Sequence, residues 1–514
     1  MPKKSKISNA NNGKPKKFAR NLGLIITFAL LIVGILVFFN SNSNTSNIFG
    51  SWSQHAHNSY YCGIPVNAQQ YNALNSEGQY QYEGNPCHLY YINGSVGTYN
   101  ITLNAGIDGP ITLDNNTLLV PLETPTYNYS PPSYYSDLGM MWGGLAAINA
   151  KTGNVLWQDL FNDSAMAQPL VVNGIAYVGT GDDFTNPNVK QNGIYAVNIS
   201  TGKIIWNIST AAEDMPSFAY YNNSVIKIGG YIPNFNNTKA PPTLQGIFDL
   251  QTTINTTNTT GYLQALNPQT GNLEWEINIS GSSAMSSPVL VGNMVYFGAN
   301  SDSSQPNKNS GKVMAINLDT HQIVWTTYFP SGADRATQDT TLSIWNNTLV
   351  DGYAYTYNSS GGPQNRVISL TLVGINITNG NIKWKFNEPL GKNTPRSVLP
   401  PTTAYNGIVL SDTTEIGWLY ALNIQTGNLL WKFYTGPELP NPQIIDGYVF
   451  AENQTGTVFV LELNGTLYES FNLGTPEDWC GSAQIVQIGN SIVFGGENGQ
   501  LFSMPISEII NSSD

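Results

Sequence analysis

A pattern of alternating apolar and polar residues, ending in tryptophan, recurs six times along the chain, for example as AINAKTGNVLW and ALNIQTGNLLW. Alternation with a period of two is typical of β-strands, and glycine supplies the positive φ of a tight turn. Each copy therefore predicts a strand ending in Asn, a turn built on Thr-Gly and a second strand ending in Trp. The six tryptophans are Trp157, Trp206, Trp275, Trp325, Trp384 and Trp431.

Between successive copies lies another pair of predicted strands, as in AQPLVVNGIAYVGTG. A repeat of about fifty residues fits one four-stranded blade. Two degenerate blades follow the sixth copy, and the last is one strand short; a strand from residues 51–103 would close the ring. The sequence thus predicts an all-β fold, an eight-bladed β-propeller of four-stranded antiparallel blades. We expect the recurring Trp to pack between neighbouring blades.

The N-terminal region predicts membrane attachment. Residues 22–39 form an uninterrupted apolar run, long enough for a transmembrane helix, after a basic segment at 1–21 that should stay cytoplasmic. Residues 40–50 are Ser- and Asn-rich and predict a flexible stalk, which leaves 51–514 as an extracellular propeller. No small-x-small site follows the run, which favours a retained signal anchor; the alternative is a cleaved signal peptide and a secreted protein.

Charge is scarce in this chain. Only 11% of residues are charged, and 33 acidic residues outnumber 21 basic ones. An acidic protein repels a phosphate backbone, so we expect no nucleic-acid partner. A surface that is polar without being ionised suits work in acid, although compositional bias in a secreted protein is an alternative.

Cysteines and Asn-x-Ser/Thr sequons agree with an extracellular location. Cys62 and Cys87 lie in the N-terminal extracellular segment, where a disulfide between them is expected, and Cys480 is left over. The sequence also predicts N-glycosylation at sequons. The representative sites are Asn93, Asn198, Asn278 and Asn376.

The A-x-N-x-x-T-G-x-x-x-W repeats resemble those of the quinoprotein-type eight-bladed propellers over nearly all of the extracellular region. That superfamily includes dehydrogenases that use pyrroloquinoline quinone, outer-membrane assembly lipoproteins without catalytic activity, and the tetrathionate hydrolases of acidophilic sulfur oxidisers. The resemblance implies the propeller fold and leaves these three functions open.

Candidate binding residues converge on the fifth blade. Arg335, Arg366 and Arg396 are the three arginines beyond the N-terminal segment, and all lie in predicted loops between the second and third strands or between blades. Such loops share one face of a propeller, and arginine suits the bidentate recognition of oxyanions. The alternative is that these are surface arginines paired with acids.

Acidic residues stand beside these arginines. Asp339 aligns with Ser286, where an inner strand leaves the channel mouth, and Asp334 lies in the same loop. We expect Asp339 to be the first choice for an acid/base and Asp334 the second. Corresponding loops of other blades hold further residues that are more typical of structural roles, namely Asp182, Asp183, Asp214 and Cys480.

These residues favour one of the three functions. Quinone dehydrogenases typically show an adjacent cysteine pair and a Glu/Asn/Asp calcium set, which this sequence lacks, so we expect no cofactor and no metal. The resemblance to tetrathionate hydrolases implies hydrolysis of a small anionic substrate to thiosulfate, sulfate and sulfur outside the cell. The three arginines would hold its sulfonate ends, and Cys480 would line the same mouth. A quinone dehydrogenase and a non-catalytic tethered scaffold stay open as alternatives, as does a homodimer.

Overall fold

The computed structural model of the 514-residue chain describes most of the propeller. The described residues are 63–65, 81–82, 85–86, 88–90, 96–103, 105–107, 109–123, 143–161, 164–165, 167–181, 193–210, 214, 216–231, 260–279, 286–300, 311–330, 342–357, 367–392, 402–413, 416–436, 441–453, 455–473, 485–496 and 499–510.

Five strands precede the first blade. They are β1 (Gly63–Pro65), β2 (Gln81–Tyr82), β3 (Asn85–Pro86), β4 (His88–Tyr90) and β5 (Tyr99–Thr102). Strand β1 pairs in parallel with β4, and β2 pairs antiparallel with β3.

Eight four-stranded antiparallel sheets then follow in chain order, and we number them as blades 1 to 8. Blades 1 and 2 consist of β6 (Thr112–Asp114), β7 (Thr117–Leu122), β8 (Gly143–Asn149), β9 (Val155–Phe161), and β10 (Leu170–Val172), β11 (Ile175–Thr180), β12 (Gly193–Asn198), β13 (Ile204–Ser209). Blades 3 and 4 consist of β14 (Ala219–Tyr221), β15 (Ser224–Tyr231), β16 (Thr260–Leu266), β17 (Leu273–Asn278), and β18 (Val289–Val291), β19 (Met294–Asn300), β20 (Gly311–Asn317), β21 (Gln322–Tyr328).

Blades 5 and 6 consist of β22 (Ser343–Trp345), β23 (Thr348–Tyr357), β24 (Val367–Asn376), β25 (Ile382–Lys392), and β26 (Thr402–Tyr405), β27 (Ile408–Ser411), β28 (Trp418–Asn423), β29 (Leu429–Tyr434). Blades 7 and 8 consist of β30 (Gln443–Ile445), β31 (Tyr448–Glu452), β32 (Thr457–Glu462), β33 (Leu467–Asn472), and β34 (Val486–Ile488), β35 (Ser491–Gly495), β36 (Gln500–Pro505). A single 3-10 turn, Ile506–Glu508, follows β36.

The ring closes between the two ends of the propeller. Strand β5 pairs antiparallel with β36, with Thr102 opposite Gln500 and Tyr99 opposite Ser503. Strand β5 is therefore the fourth strand of blade 8, and the predicted closure by a strand from residues 51–103 is confirmed. Closure of this kind removes a free edge from the sheet next to the chain end.

Each blade presents two kinds of connection on opposite faces. The turn between the first and second strands lies beside the turn between the third and fourth strands. In blade 6 this is shown by the hydrogen bond from Ile424 N–H of the second of these turns to Gly407 O of the first. We call this side the turn face. The other side, which we call the loop face, holds the connections between the second and third strands and between blades. There Ala165 N–H, at the entry to blade 2, donates to Leu122 O of blade 1.

The Asn and Trp of the repeat have separate structural roles. Asn423 Oδ1 accepts hydrogen bonds from the N–H groups of Gln425 and Thr426, both at 3.0 Å, and so shapes the turn. Trp384 Nε1 of the preceding blade donates to Ile424 O at 2.8 Å, and its ring lies against Gly427. Trp157, Trp206, Trp325 and Trp431 make the same bond to the next blade. The prediction that the Trp packs between blades is confirmed.

Blade 5 is longer than its neighbours on the loop face. Strand β25 runs eight residues past Trp384, whereas β13 runs three past Trp206. Five extra residues at about 3.3 Å each add roughly 16 Å of strand. We call the extension (354–357, 367–369 and 388–392) the wing. The sequence predicted loops across 359–369 and from Gly391 onward, but Val367–Ser369 and Gly391–Lys392 belong to strands.

Among the described residues, none belongs to a helix of the length and hydropathy that crossing a bilayer requires. The predicted span at 22–39 lies outside those residues, as do the basic segment and the stalk.

Candidate functional site

Several second strands carry a buried acidic side chain, either within the strand or directly after it. Asp351 of blade 5 and Asp412 of blade 6 are fully buried, and Glu452 of blade 7 is 2% exposed. Glu123 follows the second strand of blade 1 and is also buried. Acidic side chains are rarely fully buried without partners, so these positions differ from the apolar residues that fill most of the core.

Blade 3 adds a buried ion pair. Asp214, at the entry to blade 3, forms a salt bridge with Lys227 of β15, and their side chains are 1% and 6% exposed. The backbone N–H of Asp214 also donates to Thr180 O of blade 2 at 3.1 Å. At equivalent positions blade 2 has the apolar residues Ala165 and Val178. The ion pair therefore has no counterpart at the junction of blades 1 and 2.

The Thr413 side chain bridges the connection between the second and third strands of blade 6. Thr413 Oγ1 accepts the N–H of Trp418 at 2.8 Å and donates to Trp418 O at 3.2 Å. Thr413 is fully buried and directly follows Asp412. The end of β27, with its carboxylate, is thus fixed relative to the start of β28.

The wing of blade 5 contacts blade 6 through charged and aromatic groups. Lys432 Nζ of β29 lies 2.9 Å from Glu388 Oε1 of β25, and 5.1 Å from the centre of the Trp418 ring. Phe386 of β25 packs against Tyr420 at 6.0 Å between ring centres. Burial, and then the negative charge of Glu388, raise the pKa of Tyr420 above its usual range.

The residues predicted for the site lie outside the described residues. These are Asp334, Arg335, Asp339, Arg366, Arg396 and Cys480, together with Cys62, Cys87, Asp182 and Asp183. The structure therefore leaves their placement and the Cys62–Cys87 disulfide as predictions. Arg366 directly precedes the first residue of β24, and Arg396 follows the last residue of β25 by four positions.

The predicted alignment of Asp339 with Ser286 lies partly outside the described residues. Ser286 stands three residues before β18, and Asp339 stands four residues before β22 in the sequence. Ser286 is fully buried, and its Oγ accepts the N–H of Gly298 in its own blade at 2.8 Å. The Ser286 side chain thus holds two strands of blade 4 together, and it supports no inference about the side chain of Asp339.

The four named sequons differ in their surroundings. Asn278 is exposed at the end of β17, which agrees with access for a glycan. Asn198 and Asn376 are half-buried turn residues whose Oδ1 atoms accept backbone N–H groups of their own turns. Asn93 lies outside the described residues. Glycosylation at these positions stays a prediction.

Sequence reasoning missed Lys227, Asp351, Asp412 and Glu452. Their signal was register: each stands on a second strand or directly after it, at positions where other blades have residues such as Val178, Gly179 or Phe297. A search restricted to loops passes over them.

One sequence feature typical of quinone dehydrogenases is missing. The three cysteines are Cys62, Cys87 and Cys480, so the chain has no adjacent cysteine pair. Within the described ranges, no group of three or more His, Cys, Asp and Glu side chains is arranged to hold a metal ion. We therefore assign no chemical step to a quinone.

Comparison with known proteins identifies the family. Residues 104–362, 238–461 and 308–502 match the PQQ_2 family, described as outer membrane protein assembly factor BamB. These overlapping stretches span nearly all of the propeller. The chain belongs to this family of PQQ-like propellers. The description names one branch of the family, and it assigns no assembly role to this chain.

Two relatives share a different description. The chain is 25% identical over 363 residues to a tetrathionate hydrolase of Acidithiobacillus ferrooxidans, covering 62% of this chain and 68% of that protein. It is 22% identical over 378 residues to a tetrathionate hydrolase of Acidianus ambivalens, covering 64% of this chain and 69% of that protein. The PQQ-like propeller thus has relatives among tetrathionate hydrolases.

Solved structures support the fold. BamB from Moraxella catarrhalis matches 80% of this chain and 100% of its own, with a TM-score of 0.53 and 15% identity. A quinohemoprotein alcohol dehydrogenase from Comamonas testosteroni matches 80% of this chain and 76% of its own, with a TM-score of 0.50 and 13% identity. At such low identity these similarities concern the fold alone.

Proposed function

We propose that this protein hydrolyses a sulfur oxyanion, tetrathionate, at the loop face of the propeller. The observation that carries the proposal is the similarity to two tetrathionate hydrolases over more than three fifths of the chain. The chain has few charged residues, and its three arginines beyond the N-terminal segment all stand in or beside the connections of blade 5 in the sequence.

The proposed reaction consumes one water. An aspartate, Asp339 or else Asp334, accepts a proton as water oxygen bonds to a terminal sulfonate sulfur. The bond from that sulfur to its neighbouring sulfur breaks, which releases sulfate and a trisulfur monosulfonate dianion. Loss of one neutral sulfur atom from this dianion leaves thiosulfate. Two protons are released in total, so atoms and charge balance.

The arginines have a binding role in this proposal. Arg335, Arg366 and Arg396 would hold the two sulfonate ends, because guanidinium groups bind oxyanions through paired hydrogen bonds and stay charged at any pH. A chain fixed outside the cell by residues 22–39 would meet such a substrate directly.

The test is incubation of the purified protein with tetrathionate at about pH 2 to 4, with separate assays of thiosulfate and sulfate. We expect both products in equal amounts. The alternative function is a quinone-dependent dehydrogenase, because the Comamonas enzyme has a similar fold. Dye reduction by an alcohol after addition of pyrroloquinoline quinone and calcium, without release of thiosulfate, would favour that alternative. The absence of both activities would favour a tethered, non-catalytic propeller.

A further inference from the structure

The wing of blade 5 extends past the level at which the other described fourth strands end. Fourth strands β13, β17, β21 and β29 each end three residues after their Trp, whereas β25 ends eight residues after Trp384. A β-bulge between Ile368 and Ser369 lets the register continue beside Pro389 and Gly391. Because β25 is an edge strand, side-chain contacts with a neighbouring blade have to fix the wing's orientation.

One contact of this kind joins the wing to blade 6. Lys432 Nζ bonds to Glu388 Oε1 at 2.9 Å and lies over two aromatic rings, 5.1 Å from the centre of Trp418 and 5.9 Å from that of Tyr420. A cation over aromatic faces is attracted by the ring quadrupole, so the ammonium is held from two sides. We call Lys432, Glu388 and Trp418 the brace.

The brace continues to the loop face of blade 6. Trp418 is tied through its backbone to Thr413, the residue that follows buried Asp412. The Trp418 ring also packs edge-on against Tyr434 at 5.2 Å. One end of the brace is therefore rigidly attached to the ring, and the other end is Glu388 of the wing.

The brace contributes little to the stability of the fold. The Lys432 and Glu388 side chains are 41% and 26% exposed, and ion pairs with this exposure contribute little to stability. The described ion pair in blade 3 is buried, in contrast. A geometrically specific but weakly stabilising contact at the base of a long extension is typical of a contact that sets orientation.

We propose that Lys432 and Glu388 are positioning residues, which hold the wing of blade 5 in the orientation that binds the anionic substrate. The inference rests on the proposed function. Arg366 directly precedes β24 and Arg396 follows β25 by four residues, so the ends of the wing strands are the described residues next to both arginines in the sequence. Because the brace touches no reacting atom, its loss should weaken substrate binding and leave the chemical step unchanged.

The experiment compares Lys432→Met and Glu388→Gln in the full-length protein with the control Lys385→Met. Lys385 is exposed on β25, the strand that also carries Glu388, and its ammonium makes no ion pair with any described residue. We expect both brace variants to raise KM for tetrathionate at least about threefold with kcat kept, since contacting residues couple on this scale. The reversed pair, Lys432→Glu with Glu388→Lys, should recover part of the affinity. Lys385→Met should match the parent.

Amide hydrogen exchange supplies a readout that does not depend on hydrolysis. We expect Lys432→Met to speed exchange in residues 367–369 and 390–392, while Lys385→Met leaves it unchanged. Unchanged KM in both brace variants would overturn the positioning role, whatever the exchange result. A parent protein that releases no thiosulfate would instead refute the hydrolase proposal. Exchange would then decide alone whether the brace orients the wing: equal rates in Lys432→Met and the parent would refute it.

Discussion

The turn face and the loop face of this propeller are made by different rules. On the turn face, one arrangement of the neutral residues Asn, Gly and Trp recurs from blade to blade. Away from the turns, the buried charged residues differ between blades: a carboxyl group in blades 1, 5, 6 and 7, an ion pair in blade 3, and the wing only in blade 5 among the described strands. Repetition therefore marks the structural requirement that every blade shares, and departures from the repeat mark candidate function.

The largest expected effect is at the proposed site of the loop face. Asp339→Asn keeps the size of the side chain but cannot take up the proton, so turnover should fall by about a hundredfold or more with folding intact. Steady-state kinetics with tetrathionate measure it. Asp334→Asn serves as the control within the same loop: if it alone abolishes turnover, the site is correct and the chosen aspartate is not. Parent-like turnover in both variants would place the chemistry elsewhere.

The next prediction concerns the buried ion pair of Asp214 and Lys227, and asks how much stability is lost when one partner is removed. Lys227→Met strands the carboxylate of Asp214 in the interior, so the free energy of unfolding should fall by about 3–5 kcal/mol. Denaturant unfolding measures the change.

The control is the double variant Asp214→Ala with Lys227→Met, which restores the apolar character that Ala165 and Val178 give to blade 2. Because no charge is then stranded, we expect it to be more stable than Lys227→Met alone. A double variant as unstable as the single one would mean that the ion pair itself, rather than the stranded charge, supports the junction.

The fold followed from local sequence, whereas the site did not. Each turn is specified by an Asn and a Gly a few residues apart, and each Trp reports contact with the next blade, so six visible copies suffice to extrapolate to eight blades. Asp351, Asp412 and Glu452 recur in no fixed motif, and their importance comes from burial, which depends on the assembled ring. The wing was hidden because Pro389 and Gly391 are typical of loops, yet an outer edge strand accepts both.

Two glycines of the turn face, Gly427 and Gly407, differ in what lies near their Cβ positions. Gly427 has φ +71°, and a Cβ there would lie 2.4 Å from Trp384; Gly407 has φ +83° with nothing within 4 Å of its Cβ position. Alanine at Gly407 should cost about 1–2 kcal/mol from the left-handed backbone alone. At Gly427 the collision with the indole ring should add about 1–3 kcal/mol. Equal losses in urea unfolding would mean that the Trp contact is looser than the structure indicates.

The smallest effect concerns the one turn where the pattern changes. In blade 4 the turn glycine is replaced by His321, whose own φ is +56°. The His321 ring packs on Trp275 at 4.4 Å between ring centres. Asp319 of this turn accepts Tyr221 Oη of blade 3 at 2.6 Å and Asn293 Nδ2 at 2.7 Å. The turn face therefore has a titratable contact between blades 3 and 4.

The hydrogen bond from Tyr221 first, and that from Asn293 next, lower the pKa of Asp319. A carboxyl whose pKa is depressed by folding stabilises the protein above its unfolded pKa, and this stabilisation is lost as pH falls through the folded value. Asp319→Asn cannot titrate, so its melting temperature relative to the parent should be lower near neutral pH, and the difference should shrink in acid below the folded pKa. Asp446→Asn, which replaces the exposed carboxyl group of a blade 7 turn on the same face, is the matched control. A gap between Asp319→Asn and the parent that stays constant from neutral pH into strong acid would show that Asp319 acts through its shape rather than its charge.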